Sequence, residues 1–378
     1  MTDLSRRDGN QAGRSEDHRY REDETVESSK EAPDRVVARS NGRGSRVTMQ
    51  QVAQEAGVSV STVSKVINGR YGVASDTVEN VTQVIERLGY EASLVARSLR
   101  NHRTNVIGLL VADFEPFSVE VLKGAADAIH GSGFELVAYS SGGRVDEHVG
   151  WERRYLSRLM GTLIDGAVLV TPTVTDVQFD GPIVAVDPHT GSSRLPSVTA
   201  DNLQGARLGV GHLLDLGHTR IGMITGREDL VSAQRREQGY REALLAAGLA
   251  VDDALVRNGA FEPEPARVAA RELLTLATPP TAIFAANDLS ALVTLDVAAE
   301  LGVDVPDRLS VVGFDNIPEA GLARTPLTTV EQPIRRMGHD AIKMLTELLR
   351  GEVLEESHVT VDTKLVVRRS TAAPAVTR

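Results

Sequence analysis

The chain has 378 residues, a net charge of −11 and no cysteine. Disulfides, thiol nucleophiles and cysteine metal sites are therefore excluded, and a reducing compartment, the cytoplasm, is expected. The length admits two or three domains with real cores. No apolar run approaches the roughly 20 residues of a membrane helix, and the polar N-terminus predicts no signal peptide. The acidic balance argues against nucleic acid until its distribution is read. Residues 1–45 carry 9 basic and 10 acidic side chains, residues 46–104 carry 7 and 5, and residues 105–378 carry 25 and 37. Only the middle segment is net positive, and an acidic body behind it discourages polyanions from binding elsewhere.

Residues 1–45 mix both charge signs with Ser and Gly and show no period, so a disordered arm is expected. Residues 46–90 read as a small three-helix headpiece. In TMQQVAQEAGVSVSTVSKVIN (48–68), apolar or small residues fall at Val52, Ala53, Ala56, Val63, Val66 and Ile67. That spacing suits two short helices face to face. Ala53 lets a second helix cross close, Gly57 supplies the turn, Val58 plugs the corner and Ser59 caps the second helix. Val63 lands inside, while Val60, Ser61, Ser64 and Lys65 stay outside. This is the helix-turn-helix pattern, whose second helix enters the DNA major groove; any small helical hairpin is the plainer alternative. A third helix is predicted from a Ser75 cap to Gly89, with Val78, Val81, Ile85 and Leu88 on one face.

Residues 91–104, EASLVARSLRNHRT, are too short for a stable isolated helix and turn basic at their end. Taken with VAQEAGVSVSTVSKVING and ERLGY before it, ARSLR resembles the linker of the lactose-repressor (LacI/GalR) family of bacterial transcription regulators. The resemblance spans about residues 46–370. It implies a hinge helix that forms on the operator, with Ala96 and Leu99 in the minor groove and Leu99 wedged into a central C-G step. The family's usual Pro-Asn ahead of this helix is replaced by Ala92-Ser93. The resemblance also assigns Val60, Ser61 and Lys65 to base edges, and Thr48, Met49, Ser59, Thr62, Ser64 and Asn68 to positioning on DNA.

From Val106 the pattern becomes β/α alternation. Strands are expected at 106–112, 134–139, 166–170 and 183–186. A second set is expected at 220–225, 255–260, 281–286 and 309–313. Helices are expected at 119–130, 147–160, 202–216, 232–247, 263–276, 289–301 and 333–350. Two such sets predict two lobes of parallel sheet flanked by helices, with ligands near the carboxyl ends of the strands. The fold class expected is α/β, an all-α helix-turn-helix headpiece and hinge helix ahead of a periplasmic-binding-protein-like body. Lobe 1 is expected at 105–201 and 332–358, and lobe 2 at 202–331 and 359–370. The strand Val359–Val367 is expected to return to the second lobe, and 371–378 to be loose.

No Gly-x-Gly-x-x-Gly after a strand, phosphate loop, nucleophile elbow or metal-spaced histidines are present. No enzyme, metal or cofactor is expected. Polar and aromatic residues at strand ends remain as effector candidates: Asp113, Phe117, Asp201, Gln234, Arg236, Phe261, Asp288, Asp315 and Gln332. Carboxylates, amides and a ring suit a sugar, whose hydroxyls donate and accept and whose apolar face stacks. Asp288, in FAANDLSA, matches the related repressors most closely, though Asn287 or Asp288 also suits a helix cap. Asp315 and Asn316 suit a shaped loop equally well. Relative to the family, Phe114–Ser118 is one residue short, and Gln234 stands where an arginine is common, with Arg235 and Arg236 adjacent. The reading is a homodimeric DNA-binding regulator, a repressor controlled by a small effector. The alternative is a solute-binding module without DNA activity.

Overall fold

The computed structural model describes residues 47–67, 72–90, 103–142, 150–173, 181–189 and 195–375. Two compact units divide after Tyr90. The first holds α1 (Met49–Glu55), α2 (Val60–Ile67) and α3 (Ser75–Leu88). Thr48 caps α1 with a full capping box: its hydroxyl accepts from Gln51 N–H and its own N–H donates to Gln51 Oε1. Gly57 takes φ +67° at the turn, and Ser59 Oγ accepts from Thr62 N–H at 3.1 Å. Val52, Ala53, Ala56, Val63, Val81 and Val84 form the core of this unit. Two details of α3 differ from expectation. The cap position is Ala74, without a side-chain bond, and Ser75 is already helical. The buried stripe runs through Val81 and Val84, which leaves Val78 exposed.

The second unit contains two six-stranded sheets. The first comprises β1 (Val106–Val111), β2 (Glu135–Ser140), β3 (Gly166–Val170), β4 (Ile183–Val186), β5 (Ser197–Ala200) and β11 (His358–Val361), in the order β11-β5-β4-β3-β1-β2. All its pairings are parallel. Its helices are α4 (Pro116–Ile129), α5 (Trp151–Leu159) and α11 (Ile334–Leu349). The second sheet has β6 (Ile221–Thr225), β7 (Val256–Asn258), β8 (Ala282–Ala285), β9 (Ser310–Asp315), β10 (Thr328–Glu331) and β12 (Lys364–Val366). Their order is β12-β10-β9-β8-β6-β7. Only β12 runs antiparallel. Around it lie α6 (Asn202–Asp215), α7 (Val231–Ala246), α8 (Pro263–Leu274), α9 (Asp288–Glu300) and the short α10 (Pro318–Leu322). The inner strands are buried on both faces, as parallel sheets between helix layers must be.

Helices α4 and α11 cross closely because glycine sits at both contact points. A Cβ on Gly124 would lie 1.8 Å from the Arg335 carbonyl oxygen, and one on Gly338 would lie 2.2 Å from that of Val121. The crossing holds α4 firmly, and the first turn of α4 supplies part of the site described below.

The end of the chain departs from expectation twice. The segment expected as a single second-lobe strand is two strands. β11 joins the first sheet beside β5, and after Asp362-Thr363 β12 joins the second. Nor is the tail loose from 371: Ser370 Oγ donates to Val311 O, while Thr371 and Ala372 bond with His212 and His218. Ser370 is fully buried and accepts from Thr328 N–H, so the tail completes the hydrogen bonding of β9 and β10.

Candidate functional site

On the headpiece, α2 turns Val63 into the core and leaves Val60, Ser61 and Lys65 in solvent. Val60 is 43% exposed, an apolar side chain held out on a polar face. The hydroxyls of Ser59, Ser61 and Thr62 form a chain with contacts of 2.7 and 2.9 Å. Met49 is half-buried against the small core, and Ser64 is half-exposed. Asn68, Ala96 and Leu99 lie outside the described residues.

In the body, a cleft of about 430 Å³ is lined from both lobes. The first lobe supplies Asp113, Glu115, Phe117 and Trp151, with Thr171, Asp187 and His189 from the ends of β3 and β4. The second supplies Arg227, Ser232, Arg236, Phe261, Asn287 and Asp315, and Gln332 lies where the chain crosses back. Backbone strain gathers here. Thr171, Asp187, Ala260, Phe261 and Asp315 all take positive φ, between 46° and 118°, and all line the cleft. Such conformations persist only where surroundings enforce them, and they gather at ligand sites. Gly226 clears the space for Phe261, whose ring atoms would lie 2.1–2.5 Å from a Cβ there.

Arg236 organises the floor. It is almost wholly buried, with its guanidinium 3.8 Å from the Phe314 ring centroid and 5.5 Å from that of Phe261. Its Nε donates to Asn202 Oδ1 at 2.8 Å, and its Nη1 donates to the Ala286 carbonyl at 2.5 Å and to Asp315 Oδ1 at 3.3 Å. Gln332 Nε2 donates to the same Asp315 oxygen at 2.6 Å, and Asn202 Nδ2 reaches Asp187 Oδ1 at 3.5 Å. A polar chain thus runs from Asp187 at the end of β4, through Asn202, Arg236 and Asp315, to Gln332. It links both lobes where the backbone crosses.

Burial dominates the titration of these groups. It pushes Asp315 up to about 7, with Arg236 and the Gln332 bond pulling the other way. Burial raises Asp187 against the pull of Arg236, and raises Glu115 although Ser118 and Phe117 donate to it. His189 is pushed down to about 4 by burial, then by Arg227, so it is neutral at neutral pH.

The cleft brings together Asp113, Phe117, Arg236, Phe261, Asp315 and Gln332 from the sequence candidates. Asp201, Gln234 and Asp288 do not line it. Asp201 caps α6, accepting from Gln204 N–H, and exposed Gln234 donates to the Glu228 carbonyl. Asn287, not Asp288, caps α9. The Asp288 carboxylate is fully buried and accepts from Thr329 Oγ1 at 2.6 Å and Ile317 N–H at 2.9 Å. It ties β10 and the loop after β9 together beneath the cleft. Burial, then Asp315, raises its pKa well above the ordinary range. Sequence reasoning missed Glu115, Trp151, Asp187 and His189. Asp187 had a signal, since it directly follows an expected strand. Among the described residues no acidic or histidine cluster could hold a metal, and no helix is long and apolar enough to cross a membrane.

Residues 48–93 match the family described as bacterial regulatory proteins, lacI family, and residues 210–371 match the periplasmic binding protein-like domain. The HTH-type transcriptional repressor PurR of Photobacterium profundum is 33% identical over 85% of this chain and 98% of its own length. A solved complex of the transcriptional regulator CelR with cellobiose is 35% identical, covering 86% of this chain and all of that one, with a TM-score of 0.63. The lac repressor dimer bound to operator and the anti-inducer ONPF is 25% identical, covering 86% of this chain and 99% of that one, with a TM-score of 0.74. The headpiece, the two parallel-sheet lobes and these likenesses agree: the chain belongs to the lacI family of bacterial regulatory proteins, which are transcription regulators and not enzymes.

Proposed function

We propose that this regulator is a cytoplasmic repressor that binds a pseudo-palindromic operator as a homodimer, and that a small sugar in the body's cleft changes that binding. One observation carries the reading. A helix with Val60, Ser61 and Lys65 presented to solvent shares a chain with a two-lobed cleft lined by rings, carboxylates and amides. Two relatives support it: the CelR structure contains cellobiose, and the lac repressor structure is a dimer on operator. Val60, Ser61 and Lys65 read base edges, with Val60 suited to a thymine methyl and Lys65 acting as a point charge on guanine. Thr48, Ser59, Thr62, Ser64 and Asn68 position the protein on the phosphates, Met49 lies at the DNA-facing surface, and Ala96 and Leu99 enter the minor groove.

In the cleft, Phe117, Trp151 and Phe261 offer apolar surface, while Asp113, Arg236, Asp315 and Gln332 fix hydroxyls. The sugar acts only through different affinities for two body states, and the polar chain from Asp187 to Gln332 is the element whose arrangement distinguishes them. Selection from a random duplex pool with the full-length protein tests this. The recovered sites are expected to be inverted repeats, and a sugar is expected to change their retention. Recovery of unrelated sequences, or of single half-sites, would refute the operator reading.

A further inference from the structure

The charge and hydrogen-bond balance of the cleft defines what it admits. Five lining residues carry carboxyl groups: Asp113, Glu115, Asp187, Glu262 and Asp315. Among the described residues the only lining arginines are Arg227 and Arg236, and both already hold a carboxylate. Arg227 grips Asp229 through two bonds of 3.0 and 2.6 Å. Arg236 gives its Nε to Asn202 and its Nη1 to Ala286 and Asp315 while lying against the Phe314 and Phe261 rings. His189 is uncharged at neutral pH. An anionic group entering here meets more carboxyl groups than cations and two arginines already engaged, and it must shed its hydration to do so.

A second observation points to the ligand's own chemistry. Gln332 is 2% exposed, lines the cleft, and gives its Nε2 to Asp315, which fixes the amide with Oε1 as the remaining acceptor. Among the described residues no group donates to that oxygen. A buried acceptor left unmatched favours a ligand that brings a hydroxyl donor, and a phosphate or carboxylate oxygen offers none.

We propose that the cleft selects an uncharged, hydroxyl-rich sugar and rejects its phosphorylated or carboxylated forms, with the Arg236–Asp315 pair and Gln332 Oε1 as the determinants. This rests on the reading of the cleft as the effector site. Asp315 holds the guanidinium away from anions, and Gln332 rewards a hydroxyl in the position a charged oxygen would otherwise take.

Trp151 is the chain's single tryptophan and lines the cleft, so intrinsic fluorescence of the full-length protein reads occupancy. The probes are cellobiose, glucose and ribose, with cellobiose 6′-phosphate, glucose 6-phosphate, ribose 5-phosphate and gluconate. At least one neutral sugar is expected to bind saturably, with its charged form about a hundredfold weaker. Gln332→Leu is expected to weaken the neutral sugar about tenfold or more. Asp315→Asn, which releases Arg236, is expected to narrow the ratio about tenfold or more. Should that buried variant not fold, the exposed pair Asp113→Asn with Glu262→Gln is expected to narrow it in the same direction.

A phosphorylated or carboxylated probe binding as tightly as its parent sugar overturns the inference. So does a ratio unmoved in every folded charge variant. Silence across all seven probes, with selected DNA still bound, removes the inference and the sugar part of the reading together. Loss of DNA selection with the sugar ratio intact removes only the operator reading.

Discussion

Replacing Asp288 separates an internal anchor from a ligand contact. Asp288→Ala strands two buried donors, the Thr329 hydroxyl and the Ile317 amide, held now at 2.6 and 2.9 Å. Both residues are almost fully buried, so water cannot replace the lost acceptor. Each stranded donor costs about 1–3 kcal/mol, which gives roughly 2–6 kcal/mol in total. The substitution also removes a carboxylate that burial already disfavours in its charged form, and that gain offsets part of the loss. A net destabilisation of about 2–4 kcal/mol is expected. Urea unfolding of the body followed by far-ultraviolet circular dichroism reads this as a lower midpoint at unchanged slope. A variant as stable as the parent that no longer responds to sugar would refute the anchoring role and restore Asp288 as a ligand contact.

Lys65→Ala is expected to weaken operator binding and relax preference at one base pair in each half-site, measured on systematically substituted operators; equal loss on all sequences would refute base reading. Leu99→Ala is expected to lower specific affinity and DNA bending together while salt-driven non-specific binding persists, as gel-shift and bending assays would show. Gly338→Ala forces a Cβ to within 2.2 Å of the Val121 carbonyl oxygen, so α4 and α11 must part, at about 1–3 kcal/mol or more, lowering Tm. Asp315 is raised by burial to about 7, so its contribution to stability is full at acid pH and lost as pH rises through that value. The stability of the parent relative to Asp315→Asn is therefore expected to fall as pH rises from about 4 to about 7 and to level off above, and a flat or rising difference across that range would contradict the burial of that carboxyl.

Much of the fold was legible because its period is simple. Buried runs such as Val106–Val111 and Gly166–Val170 announce parallel strands, and the Val52–Ile67 spacing announces a helical pair. The end of the chain was not legible. His358–Val361 and Lys364–Val366 read as one extended segment, and only spatial pairing assigns them to different sheets. The cleft was legible where a polar residue ends a strand, as with Asp315, or opens a crossing, as with Gln332. Trp151 begins a helix and reads as core, and Glu115 reads as loop. Asp288 shows the limit most clearly. A carboxylate beside a capping Asn looks the same in sequence whether it meets a ligand or a distant donor. Its partners lie 29 and 41 residues onward.

The placement of β11 has a consequence for how the chain is made. The first sheet receives an outer strand, His358–Val361, that follows every parallel strand of the second sheet in sequence. During synthesis the free edge of β5 therefore stays unpaired until the ribosome has passed residue 361. By then β6 through β10 have already emerged and can assemble. The lobe that starts first finishes only near the end of the chain, with a strand edge open to other nascent chains in the interval. A polypeptide stopped shortly before His358 would lack the outer strand of both sheets, β11 beside β5 and β12 beside β10, and aggregation through those open edges is its expected fate.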